Sequence, residues 1–280
     1  MVSSMQSMQS SESLKTTKAQ KKYFTEFLFR SAVFLYVTYL YFFDKDRLYM
    51  EEGFLDIGFR EDAFGKITGI LFWAFLIFEM IRRMIPRNRG RDKEFPDIGS
   101  SKQFSYHYLP AENYNRDMLR REMRKKDVGA LKVLAVWFIL GAVVLTLKLT
   151  ELFSSAEILL IWSVCYLLDV VCILFFCPLQ VFLMKNRCCT TCRIFRWDHF
   201  LTYTVLTFVP NFYTVTLFAV SLLELAIWEW TRYRYPERFW EGANRNLRCA
   251  NCVDKICKYK KRLTAKIPAK ITSRLPNIEE

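Results

Sequence analysis

Two C-x-x-C pairs, Cys189/Cys192 and Cys249/Cys252, are the residues in this chain best suited to chemistry. Each spacing turns two thiols toward one point, and two such turns complete the tetrahedral four-sulfur shell that structural zinc takes. Cys188 and Cys257 flank the pairs as further thiols, and His199 supplies a nitrogen donor in the same stretch. Four thiolates also hold iron or an iron–sulfur cluster, and a C-x-x-C pair can cycle between thiol and disulfide. Zinc is the leading expectation, with iron or an iron–sulfur cluster as the alternative. A closed four-thiolate shell leaves no open coordination position, so the role expected of it is structural.

A second set lies inside an apolar run. Cys165, Asp169 and Cys172 follow one another at i, i+4 and i+7, which places them on one helix face. A carboxylate at membrane depth is costly and turns toward protein, where it carries protons, binds a cation or pairs with a base. Lys148 is the base expected for Asp169. Glu26 and Arg30, one helical step apart, are expected to pair with each other. Glu79 and Glu224, each within two turns of a basic end, are expected to snorkel or to meet nearby arginines, with Asn211 as a further partner open to Glu224.

The elements that must carry these residues follow from composition. Of the 280 residues, 52% are hydrophobic, and the net charge is +13. The lysines and arginines cluster just beyond the apolar runs, where they orient a chain in a membrane. No nucleic-acid motif accompanies the charge, so no nucleic-acid partner is expected. Phosphate-binding loops, H-E-x-x-H and G-x-S-x-G are also absent from the sequence. With two histidines in all, bis-histidine haem ligation within one chain is improbable. No catalytic constellation stands out, which favours a non-enzymatic role.

Residues 1–22 have no apolar core of a signal peptide and are expected to form a disordered cytosolic tail. Residues 23–86 contain two expected spans, Tyr23 to Phe43 and Phe64 to Ile85, joined by an acidic outer loop over 44–63. A linker over 87–128 includes a polar helix-capable piece, PAENYNRDMLRREMRKKD. Residues 129–187 hold two more spans, Ala130 to Thr150 and Ile158 to Met184, whose short turn, ELFSSAE, makes them antiparallel neighbours. Residues 188–257 form the cysteine and membrane-hairpin module, and 258–280 a basic tail.

The run from Trp197 to Thr231 decides the topology. Its 35 residues exceed one upright crossing and fall short of two with a turn. Both flanks are basic, so the positive-inside rule keeps both knuckles on one side. A re-entrant or steeply tilted hairpin is expected, with its tip at Pro210-Asn211, against a single tilted span.

The expected fold class is therefore an all-α integral membrane protein. It has four transmembrane helices and a C-terminal re-entrant or tilted helical hairpin closed by a cytosolic cysteine metal site. Both termini are expected in the cytosol of a bacterial plasma membrane, with a lipid bilayer around the helices and anionic headgroups at the basic face. The leading function is a subunit, assembly factor or scaffold of a membrane complex, with a protein partner. The alternatives are a membrane electron-transfer protein using iron and a small ion or metal transporter using Asp169.

Overall fold

A computed structural model describes residues 17–48, 63–84, 103, 107–186, 188–252 and 256–257. Residues 1–16 of the N-terminal tail, most of the acidic loop, the basic run after the second helix and the C-terminal tail lie outside the described residues, and residues 18–22, expected to be disordered, form the first turns of a helix capped by Thr17. Within them the chain is mostly helical and contains no strand. Six α-helices are described: α1 (Lys18–Phe43), α2 (Ala63–Met84), α3 (Arg116–Leu149), α4 (Ser155–Leu174), α5 (Asp198–Thr204) and α6 (Phe212–Arg234).

Local chemistry sets where these helices start. Thr17 caps α1 by accepting from Gln20 N at 3.2 Å, while Gln20 Oε1 accepts from Thr17 N at 3.0 Å. Ser154 and Glu157 form the same reciprocal box at α4. Such boxes satisfy amides that a helix start leaves open.

Four helices, α1, α3, α4 and α6, are long and apolar enough to cross a membrane. They carry large exposed apolar side chains, such as Phe42, Ile139, Leu149 and Leu168, which fits a lipid bilayer environment. The expected second span forms as the 22-residue helix α2, with Glu79, Arg82 and Arg83 in its last two turns.

Three expectations about helix ends and neighbours are corrected. The polar piece before the third span is not separate, because α3 runs unbroken through Gly129 for 34 residues. The absent side chain at Gly129 admits the chain near Met184: a Cβ there would lie 3.1 Å from Met184 Sδ and 3.4 Å from Leu183 O. The fourth span does not reach Met184. It ends at Leu174, ahead of Pro178, which has no amide to continue the ladder, and a short π turn follows over Leu179–Leu183. Finally, α3 and α4 are antiparallel but not close neighbours. α4 packs most closely on α1, while the segment Val205–Phe208 sits between α3 and α4. There Val205, Val209 and Ile158 form a buried cluster joined by Trp137, Val144 and Phe208.

The run 197–231 has two arms that turn at the expected place. α5 and the 3₁₀ turn Val205–Phe208 make a short arm that rises about 16 Å, roughly half of a bilayer core. α6 returns along it, with Phe200 and Phe218 rings 5.9 Å apart. Between the arms, Pro210 breaks the helix and Asn211 restarts it. Asn211 Oδ1 accepts from Thr214 N and Asn211 N donates to Thr214 Oγ1, both at 3.0 Å, while that hydroxyl donates to Val209 O at 2.8 Å. Asn211 is fully buried, so these bonds stand in for water at the turn.

Replacing Asn211 by Ala removes the cap and leaves buried amides open. Denaturant unfolding in micelles is expected to show a loss of about 1–2 kcal/mol. An unchanged midpoint would mean that something other than this box holds the turn.

Candidate functional site

The two cysteine pairs fold alike. Cys189–Thr191 and Cys249–Asn251 are each one 3₁₀ turn, entered and left by extended residues. In both, the fourth residue donates its amide to the first carbonyl: Cys192 N to Cys189 O at 3.0 Å and Cys252 N to Cys249 O at 3.2 Å.

Side-chain bonds hold the first turn. Gln180 accepts from the Cys189 thiol at 3.2 Å, donates its own amide to Cys177 Sγ at 3.4 Å and donates through Nε2 to Asn186 O at 3.0 Å. The second turn is tied to the linker before α3, where Ala111 N donates to Ala243 O at 2.9 Å and Arg245 N to Leu109 O at 2.8 Å. Lys126 on α3 reaches Thr191 O of the first turn at 3.5 Å and Phe239 O, in the segment that follows α6, at 3.4 Å.

The flanking thiols Cys188 and Cys257 lie within electrostatic reach of members of the pairs. Cys249 feels Cys188 and Cys252, while Cys257 hydrogen-bonds with Cys188 and also feels Cys189 and Cys252. Burial pushes the Cys192 thiol up to about 12, so it is held as the neutral thiol at ordinary pH. The hydrogen bond with Cys188, followed by burial, raises Cys257, and burial raises Cys249. No disulfide joins any of the nine cysteines. Among the described residues, no three or more His, Cys, Asp or Glu side chains are gathered closely enough to hold a metal ion. The two cysteine segments thus meet through Cys188 and Cys257, without a closed four-sulfur shell.

Ion pairs fasten this layer to the helices. Arg193 forks onto Glu229 of α6 and meets Asp127 of α3 at 3.2 Å, and Arg232 reaches the same Asp127 oxygen at 2.8 Å. Trp197 Nε1 donates to Glu229 at 2.8 Å. Beneath the ion pairs, Met123, Val133, Met184, Cys192, Trp197, Trp228 and Phe239 share one apolar cluster.

One turn deeper lies a second centre, built entirely from charged groups. Arg30 of α1 is 2% exposed and pairs with Asp169 of α4, while its other nitrogen lies 3.6 Å from Glu79 of α2. Its guanidinium also donates to Tyr166 O at 3.0 Å and stands 4.3 Å from the Tyr166 ring centre. Arg83 bridges Glu79 at 2.9 Å and Asp198 of α5 at 2.7 Å. Arg196 pairs with Glu224 of α6, and His199 Nδ1 lies 2.6 Å from the other Glu224 oxygen.

Several sequence expectations change here. The base opposite Asp169 is Arg30, not Lys148, because α3 and α4 run in opposite directions and Lys148 sits in the last turn of α3 at the far end. Glu26 meets Lys22 at 3.6 Å instead of Arg30. Glu79 does pair with arginines, as expected, but as a buried group. Glu224 meets Arg196 and His199 and not Asn211, whose side-chain oxygen caps α6. His199 is engaged by Glu224, away from the role of an extra metal ligand. Cys165 packs beside Val205 and Val209 while Asp169 faces α1, so Cys165, Asp169 and Cys172 are not gathered as one donor set.

Sequence reasoning took these charges one at a time and missed the centre. A usable signal was present: α1, α2, α4 and α6 all carry charged residues inside their apolar runs on the half nearer the cysteines, namely Arg30, Glu79, Asp169 and Glu224.

Removing one partner of a buried pair strands the other. Arg30→Met is expected to lower unfolding free energy by about 3–5 kcal/mol in micelles, and Arg30→Met/Asp169→Leu to recover much of it. Equal losses in the single and double variants would show that the two residues are not coupled.

No family model, curated protein or solved structure matches this chain, and its function is read from the geometry of these residues.

Proposed function

We propose that this chain is a non-enzymatic component of a bacterial plasma-membrane complex, its inner face closed by a thiolate-bound metal, with zinc the first choice. One observation carries the reading: two C-x-x-C segments, separated by a whole membrane hairpin, take the same turn, and the thiols that flank them, Cys188 and Cys257, meet each other. Identical turns at both ends of a hairpin suit one shared ion better than two unrelated roles. Soft thiolates suit zinc, and four of them leave no position for substrate.

With Cys188 and Cys257 hydrogen-bonded to one another, the ligands proposed are Cys189, Cys192, Cys249 and Cys252. The metal would hold the hairpin to the end of α4, so its loss would loosen the fold without abolishing a turnover. Protein partners then dock on the inner layer that the two turns and α3 build together.

The surface around the end of α6 supports contact with anionic headgroups. Trp230 and Tyr233 are 69% and 81% exposed, and Arg238 stands 3.8 Å from the Tyr235 ring centre. Aromatic rings with wet tips among guanidinium groups suit the headgroup zone of the positive side, which supports a cytosolic position for both termini.

Metal content tests the reading. Protein purified without added metal is expected to carry about one zinc per chain. A Cys189→Ser/Cys252→Ser double variant should lose it and unfold at lower temperature. Iron with visible absorbance would replace zinc with a redox role. Protein free of metal that keeps its full stability would remove the proposal.

A further inference from the structure

We infer that the buried charged centre is a proton-binding site: it seats one dissociable proton on the His199–Glu224 pair and exchanges it through water taken up by the unpartnered polar atoms beside that pair.

Charge balance is the first ground. The groups facing His199 come from every element packed around it. α1 supplies Arg30, α2 supplies Glu79 and Arg83, α4 supplies Tyr166 and Asp169, α5 supplies Asp198 and Tyr203, α6 supplies Glu224, and the segment before α5 supplies Arg196. Three guanidinium groups therefore meet four carboxylates. Glu26 of α1 also faces Arg83, but Lys22 balances it at 3.6 Å, and Arg82 is exposed. An uncompensated charge in a low-dielectric interior is costly, so the centre favours one more positive charge. A proton supplies it, and His199 is the group built to take one. Its Nδ1 lies 2.6 Å from Glu224, and Asp198 Oδ2 lies 3.9 Å from Nε2.

The second ground is a run of polar atoms with nothing to bond. His199 Nε2, Asp198 Oδ1, Tyr203 Oη and Trp162 Nε1 are all buried and without a hydrogen-bond partner. His199, Tyr203 and Trp162 are at most 4% exposed. Tyr203 and Trp162 belong to one packed cluster with Tyr166, whose ring stacks on Trp162 at 5.4 Å. Tyr203 lies one helical turn beyond His199, and Trp162 two turns beyond Asp169. The unpartnered atoms therefore run from the charged centre toward the far side of the bundle. Donors and acceptors so placed are ready for bridging water, which passes protons to and from an imidazole.

Nitrogen-15 NMR of histidine-labelled full-length protein in lipid nanodiscs tests this. His107 and His199 are the two histidines of the chain, and His107→Gln assigns the signals. His199 is expected to be an imidazolium at neutral pH, with a titration midpoint above that of His107. Asp169→Asn removes a carboxylate that does not touch the ring. It should lower the His199 midpoint by about a unit or more, because the remaining charges then balance around a neutral imidazole.

The ring N–H should also exchange in deuterated buffer well before the amides of Val133 and Val170. A neutral His199 in the unaltered protein at pH 7 would overturn the proposal, as would a ring proton as slow as those amides. A midpoint indifferent to Asp169→Asn would reduce the site to a local pair and remove the shared proton. If the Asp169 variant does not fold, the unaltered titration and the exchange rate still decide.

Discussion

A guanidinium group taken out of water must find carboxylates, and Arg30 finds two, on different helices. The arrangement of the membrane region follows from that need. Asp169 draws α4 against α1, and Glu79 draws α2 toward the same point, where Arg83 hands the chain of charges on to the hairpin through Asp198. Each element surrounding the centre contributes a charge, so none can withdraw without stranding a partner. Such networks add little net stability over well-packed apolar side chains. What they supply here is a rule about which packing is acceptable.

Apolar contacts fill in around that rule. Trp73 of α2 donates to Thr216 of α6 at 3.0 Å and meets the Tyr213 ring at 5.6 Å, which pairs those two helices. Leu76, Met80, Tyr203 and Leu217 close the space beneath the charges. At the cysteine end the same design recurs at lower burial. Asp127 and Glu229 share Arg193 and Arg232, joining α3, the first cysteine turn and α6.

Much of this plan was legible in the residues, and the reasons for the gaps are physical. Length and hydropathy locate α1, α3 and α4, and proline followed by a capping residue marks the hairpin turn, because those signals act within a few residues. Pro178 carries the same information about the end of α4, although the apolar run continues past it. Asp169 was recognised as a buried acid, but its partner depends on how two helices rotate against each other. The sequence spacing of Arg30 and Asp169 says nothing about that. Glu26–Arg30 illustrates the converse: helical spacing made the pair plausible, and burial of Arg30 against α4 overrode it. The cysteine turns were visible from spacing alone. Their incomplete convergence was not, since it depends on where a hairpin of 35 residues returns.

The unbroken length of α3 has a mechanical consequence. At about 1.5 Å per residue, its 34 residues form a rod of roughly 50 Å, with the lipid-facing half at one end and Met123, Lys126 and Asp127 at the other. No proline interrupts it, and Gly129 sits where the rod is gripped by the chain near Met184. A rod without a joint behaves as a lever. Bilayers of different thickness tilt a long helix by different amounts. A tilt imposed on α3 by lipid is carried past the grip to Lys126, whose ammonium group reaches Thr191 O of the first cysteine turn and Phe239 O after α6, so membrane thickness becomes a displacement of the cysteine layer.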